Sequence, residues 1–183
     1  MIMTIQYCFT DSPVGRLLLV GNHQGLLKIN FQDGHTPMLP ESNWRKDAAF
    51  FMTAIIQLNE YFSGKRKKFS IRLNMDVTDF QKQVLALTSR IPYGEIVSYS
   101  DIAKACGKPK SIRAVGIAIS KNPFPILIPC HRTEHVTKKT SDFVGGEKYK
   151  AILLDLEKGT NKDFDEVSSR KIPLEVKAVK FSA

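Results

Sequence analysis

Cys130 lies in the stretch NPFPILIPCHRTEH, residues 122–135, where an apolar run ending in Pro129 delivers a thiol directly in front of His131 and Arg132. A free thiol has a pKa of about 8.5 and is only a few per cent thiolate at neutral pH; apolar burial weakens it further as an acid. A nucleophilic role for Cys130 therefore requires a base or a cation beside it, and His131 and Arg132 are the candidates. Downstream, Tyr149, Ile152, Leu153 and Leu156 recur at helical spacing over residues 147–158, with Glu157 on the flank of that apolar face. A carboxylate in the last turn of a helix is disfavoured by the helix dipole unless a cation holds it. His131 is the obvious partner, which gives a Cys–His–Glu relay of the triad type. A structural Cys-His pair is an alternative. A zinc site from Cys130, His131 and His135 is another, although it lacks a fourth ligand. A cysteine peptidase would ordinarily draw its cysteine and histidine from distant positions. A phosphate loop is excluded, because Arg132 follows Cys130 too closely and no glycines cradle an anion.

The elements that must hold these residues change character near residue 75. Before it, Ile5, Tyr7 and Phe9 alternate with polar residues, SPVG (12–15) turns the chain, RLLLVG follows, NHQG (22–25) turns it again, and Leu27, Ile29 and Phe31 alternate once more. This pattern predicts an antiparallel meander of about three strands. Phe51, Ala54, Ile55, Leu58 and Phe62 then predict a helix over 44–62, SGKRKK a basic turn, and Phe69, Ile71 and Leu73 a last short strand. After residue 75 the signals are helical. Thr78 with Gln81, and Ser98 with Asp101, have capping-box spacing. Phe80, Val84 and Leu87 face inward from the first helix, and Ile102, Ala105 and Cys106 from the second, which Gly107 stops. A third helix covers 111–121. The expected division is 1–76, 77–158 and a polar tail, 159–183, in which PLEVKAVKF is expected to add a strand.

The 183 residues carry a net charge of +9, which suits a polyanionic partner such as nucleic acid. Three cysteines, Cys8, Cys106 and Cys130, are widely separated and form neither a disulfide framework nor a CxxC knuckle. No run of about 18 apolar residues is present, and MIMTIQYCFTDSPVG has no signal-peptide pattern. An intracellular protein is expected, with no membrane span and no cofactor.

Helices 98–106 and 111–121, joined by a short Gly/Pro turn, match a helix-turn-helix. On a helical wheel Ile112, Val115, Gly116 and Ile119 turn inward, and Ser111, Ala114, Ala118 and Lys121 outward, with Arg113 between. Small outward residues let a helix lie close to a duplex. Few long hydrogen-bonding side chains are available for base readout, which favours sequence-blind binding. An ordinary helical hairpin is the alternative.

IPYGEIVSYSDIAKACGKP, RAVGIAISKNPFPILI and IPCHR, in that order, resemble the O6-alkylguanine-DNA alkyltransferases (methylated-DNA–protein-cysteine methyltransferases). The resemblance is close over about 78–158 and looser before it, where YFSGKRKKF matches. It implies an α/β (α+β) fold, with an RNase H-like N-terminal domain and a C-terminal helical domain bearing a winged helix-turn-helix. It further implies direct-reversal DNA repair. In one irreversible turnover the alkyl group on O6 of guanine, or O4 of thymine, moves to the protein's own cysteine. The implied partner is double-stranded DNA, bound by a monomer through the minor groove with the damaged base flipped out. The implied location is the cytoplasm, at the nucleoid in a bacterium, or the nucleus in a eukaryote. By the same resemblance Cys130 is the nucleophile, His131 takes its proton through a water, and Glu157 orients His131. Tyr99 rotates the phosphate and protonates the leaving guanine. Arg113 fills the gap in the duplex, Asn122 is the hinge before the active-site loop, and the backbone of Thr133 and Val144 meets the guanine edge. The chain departs from the family pattern in TEHVTKKTSDFVGG. Thr133 and Glu134 are more polar than usual, Asp142 adds charge, Phe143 lacks a tyrosine hydroxyl, and Val144 is bulkier than the usual small residue.

Overall fold

The computed structural model describes residues 4–34, 36–135 and 143–159. The expected strand in PLEVKAVKF and the expected contribution of Asp142 lie outside them. Strands β1 (Gln6–Thr10), β2 (Leu17–Asn22) and β3 (Gly25–Phe31) form the meander. All six residues of β2 are buried, as its central place and its LLLV run require. The first turn depends on Gly15, at φ +80°, where a Cβ would come within 2.5 Å of the Tyr149 hydroxyl.

The meander gains a fourth strand. β4 (Arg45–Lys46) pairs parallel to β1, giving the order β3-β2-β1-β4. Two residues are too few to leave a period-two signal. The helix expected over 44–62 consequently starts later. Asp47 Oδ1 accepts from the Phe50 N–H at 3.1 Å, a 3₁₀ turn covers Ala49–Phe51, and α1 runs Met52–Phe62. The strand expected at Phe69–Leu73 reduces to one bridge, Leu26 to Leu73. Further along β3 the Ile29 N–H donates instead to the carbonyl of Pro123, at 2.8 Å, so the helical domain occupies the edge that strand would have needed.

The C-terminal part comprises α2 (Asp79–Thr88), β5 (Val97–Ser98), α3 (Tyr99–Ala105), α4 (Ile112–Ser120), β6 (Thr133–Glu134) and α5 (Glu147–Lys158). The expected caps are present: Thr78 Oγ1 accepts from the Gln81 N–H, and Ser98 Oγ from the Asp101 N–H. Gln81 does not return the bond as a reciprocal capping box would. Its amide crosses to the carbonyls of Ala118 and Lys121, tying α2 to the end of α4. Among the described residues the wing consists of the parallel pair β5–β6, which brings the segment after Cys130 beside the start of α3. No helix of the described residues is long and apolar enough to cross a membrane.

Candidate active site

Cys130 opens a 3₁₀ turn, Cys130–Arg132, whose three residues are all buried. Asn122 shapes the approach. Its amide donates to the Ile128 carbonyl and its Oδ1 accepts from the Phe124 N–H, both at 2.9 Å. Between them Ile126 sits at φ +76°, the sole non-glycine residue at positive φ among those described. That conformation costs a β-branched residue about 1–3 kcal/mol, and the paired Asn122 bonds hold it.

Glu157 is the anchor. Its Oε1 accepts from the Tyr61 hydroxyl at 2.5 Å, from Arg132 Nη2 at 2.9 Å, and meets His131 Nε2 at 2.7 Å. Its Oε2 accepts from Arg132 Nε at 2.7 Å and from the Gly94 N–H at 3.0 Å. Arg132 also donates to the Ile91 carbonyl. A carboxylate can only accept, so neutral His131 presents Nε2–H to Glu157 and keeps a lone pair on Nδ1. That Nδ1 is buried and has no hydrogen-bond partner in the described structure.

The electrostatics follow from these contacts. Burial alone would raise the Glu157 carboxyl, but hydrogen bonds from His131 and Arg132, with their charges, bring it down to about 2. His131 is lowered chiefly by burial, which outweighs the pull of Glu157. Burial also raises the Cys130 thiol to about 11, against smaller opposing effects from the Asn122 amide and nearby backbone N–H groups, and from Lys150. Burial thus favours the protonated thiol, and a base is needed to ionise it. Arg132, adjacent in sequence, is turned onto Glu157, and among the described residues Lys150 is the cation that acts on the thiol.

These shifts carry a pH dependence. Glu157 and His131 both have folded pKa values below their ordinary 4.5 and 6.5, so the unfolded chain binds more protons in acid. Their contribution to stability is complete above pH 6.5 and is lost as pH falls. Between pH 4.5 and pH 3 Glu157 alone should remove about 2 kcal/mol, which urea unfolding at several pH values will show.

The remaining expected residues divide. Arg113, Ala114 and Lys121 are exposed on α4 and Ser111 is half-buried at its start. Arg113 lies opposite Val115 rather than between the faces. Ala118, expected outward, is 6% exposed. On the wheel it falls on the far side of Val115 from Ile119, so the arc that α4 packs on its neighbours is wider than the apolar stripe. Ile117, 49% exposed, is the apolar side chain in the centre of the outer face that wheel reasoning missed. Tyr99 is buried under α4, where Gly116 makes room: a Cβ there would lie 3.2 Å from its ring. Thr133 is buried, with its Oγ1 on the Cys130 carbonyl and its own carbonyl accepting from Lys150 Nζ, each at 2.7 Å. Val144 is half-buried beside Phe143, whose ring stands edge-on to His131. Among the described residues no His, Cys, Asp and Glu side chains group to hold a metal ion. Sequence reasoning also missed Tyr61. Its signal was Ala54, Leu58 and Tyr61 at i, i+4 and i+7, which puts a hydroxyl in the core in need of an acceptor.

Two family models match the chain. The ribonuclease-like domain of 6-O-methylguanine DNA methyltransferase covers residues 5–75 and its DNA-binding domain residues 79–159. A methylated-DNA–protein-cysteine methyltransferase of Methanosarcina acetivorans is 40% identical over 151 residues, 82% of this chain and 97% of that protein. The crystal structure of Mycobacterium tuberculosis O6-methylguanine methyltransferase superposes with a TM-score of 0.78 at 38% identity, covering 85% of this chain and 93% of that one. Mycobacterium tuberculosis OGT solved in complex with DNA gives 0.74 at 37% identity, covering 84% and 92%. Matched from the first strand of its sheet to the helix that carries Glu157, the chain belongs to the 6-O-methylguanine DNA methyltransferase family.

Proposed function

We propose that this chain repairs DNA by moving an alkyl group from O6 of guanine, or O4 of thymine, to Sγ of Cys130 in a single irreversible turnover. One observation carries the reading: beside a buried thiol stands an imidazole whose Nε2 is fixed on Glu157 and whose Nδ1 is left open. A neutral imidazole so oriented is a base. His131 takes the Cys130 proton, directly or through a water, and the thiolate attacks the alkyl carbon in line. The S–C bond forms, the C–O bond breaks, and its electron pair stays on the base, which regains a proton from Tyr99. Glu157 orients His131 and stabilises its cation. No cofactor enters this scheme. Nothing in it regenerates the thiol.

Duplex DNA meets α4, whose exposed Arg113, Ala114 and Lys121, with Ser111, face the minor groove, and Arg113 fills the space of the flipped nucleotide. Ala118 plays no part in that contact. Asn122 positions the loop before Cys130, and the backbone of Thr133 and Val144 borders the guanine. In this reading residues 1–76 are scaffold, 77–158 hold the DNA face and the thiol, and 159–183 are a tail. The protein acts as a monomer in the compartment that holds the DNA. A second reading rests on the sequence departures within 133–144: a sensor that binds lesions and transfers poorly.

Incubation with O6-methylguanine duplex and weighing of the intact protein separates the two. A gain of one methyl group, absent in Cys130→Ala, supports repair. Tight lesion-specific binding with unchanged mass supports the sensor.

A further inference from the structure

The relay is not built from the helical domain alone. Tyr61 comes from α1, packed on the N-terminal sheet, and its hydroxyl is fully buried against Glu157 Oε1. It takes the same carboxylate oxygen that His131 takes, 2.5 Å from Tyr61 and 2.7 Å from His131. The hydroxyl stands 3.4 Å from His131 Nε2, the outer edge of hydrogen-bond reach, so its proton is committed to Glu157. Burial and the neighbouring carboxylate raise the Tyr61 pKa far above its ordinary value, and the group remains a donor at every working pH.

We propose that Tyr61 is a positioning residue for alkyl transfer, through which the N-terminal domain restrains the charge that Glu157 presents to His131. The inference rests on the reading of His131 as the base. A bare carboxylate in a dry site would hold the imidazole as its cation, and a protonated imidazole cannot accept the thiol proton. Burial is the chief cause that keeps His131 neutral at rest, and Arg132 and Tyr61, by drawing on the anion, weaken the opposing pull of Glu157. Among the described residues the other groups that act on His131 are Lys150 of α5 and the Phe143 ring edge, while Tyr93, of the turn after α2, acts on the Glu157–Arg132 pair. Tyr93 is a neutral phenol and Lys150 a cation, so neither supplies a second anion. A hydroxyl from α1 thus makes the basicity of His131 conditional on docking of the two halves.

The test is the single-turnover methylation rate of the full chain at saturating O6-methylguanine duplex, followed across pH. Wild-type rates should fall in acid as His131 protonates, and this limb should vanish in His131→Gln. Removing the donor in Tyr61→Phe should move the limb to higher pH by about one unit, so that rates on the limb fall about tenfold while the alkaline plateau is kept. A 3-fluorotyrosine at position 61, a stronger donor of the same shape, should move it to lower pH. Opposite shifts cannot come from altered packing, and the fluorinated protein covers the case in which Tyr61→Phe does not fold. A limb unmoved by either change, a uniformly lowered profile, or a downward shift in Tyr61→Phe overturns the role of Tyr61 and leaves His131 as base. A profile and rate untouched by His131→Gln overturns both.

Discussion

Replacing Arg132 with methionine is expected to lower the unfolding free energy by about 3–5 kcal/mol, a large share of the ~5–15 kcal/mol typical of a folded domain. Arg132 is 5% exposed, and three of its nitrogens are engaged, two on Glu157 and one on the Ile91 carbonyl. Methionine fills much of the same volume but leaves Glu157 as a buried anion whose hydrogen-bond partners among the described residues are Tyr61, His131 and Gly94. The loss is therefore that of an uncompensated charge rather than of a surface ion pair. Denaturant unfolding and thermal melts would register it, the latter as a fall of roughly 10 °C for a chain of this size. Arg132→Lys should recover little, because an ammonium cannot reproduce the planar fork that spans both carboxylate oxygens. The same variants should lose activity for a second reason: an unneutralised Glu157 would turn His131 into its cation.

Glu157→Gln is expected to slow alkyl transfer about 100-fold, the low end of what a positioned acid–base pair contributes. An amide offers one acceptor oxygen where the carboxylate offers two. If the amide nitrogen takes the Oε1 position, it faces three donors; at the Oε2 position it faces two, Arg132 Nε and the Gly94 N–H. The second arrangement costs less and preserves the bond to His131, so the imidazole keeps its tautomer and loses only the anion that would stabilise its protonated form. That places the effect well below the ~10⁴-fold seen where the tautomer itself is lost. DNA affinity should stay within about twofold, because the exposed residues of α4 make no contact with this cluster. Single-turnover kinetics beside equilibrium binding to the same duplex would check both halves of the expectation. An unchanged transfer rate would remove Glu157 from the reaction.

The parts of this site that could be read in the sequence are those whose partners share a helix face or a turn. Cys130 and His131 are adjacent, and Glu157 betrays itself as a carboxylate on the flank of an apolar stripe in a last turn. The other half of the cluster is long-range. Tyr61 lies 96 residues from Glu157, and no periodicity records which acceptor a core hydroxyl finds. Arg132 was visible as a cation but not as one turned away from the thiol, because neighbours in a 3₁₀ turn diverge. Caps at Thr78 and Ser98 were local and correct in their backbone bonds, whereas the Gln81 side chain answered to α4 instead of its own helix. The meander was legible from its alternation and turns. β4 and the failed strand at Phe69–Leu73 were decided by which segment reached an open sheet edge. Ala118 shows the limit of a wheel, which ranks residues by polarity and cannot say how wide an arc the neighbouring helices cover.

The groups that close around Glu157, itself on α5, come from α1, from the turn after α2 and from the 130–132 turn. None of these segments can detach while the others stay in place without stranding an ion or a donor in apolar surroundings. Local opening at this point is therefore costly, and sheet and helices are expected to melt as one cooperative unit.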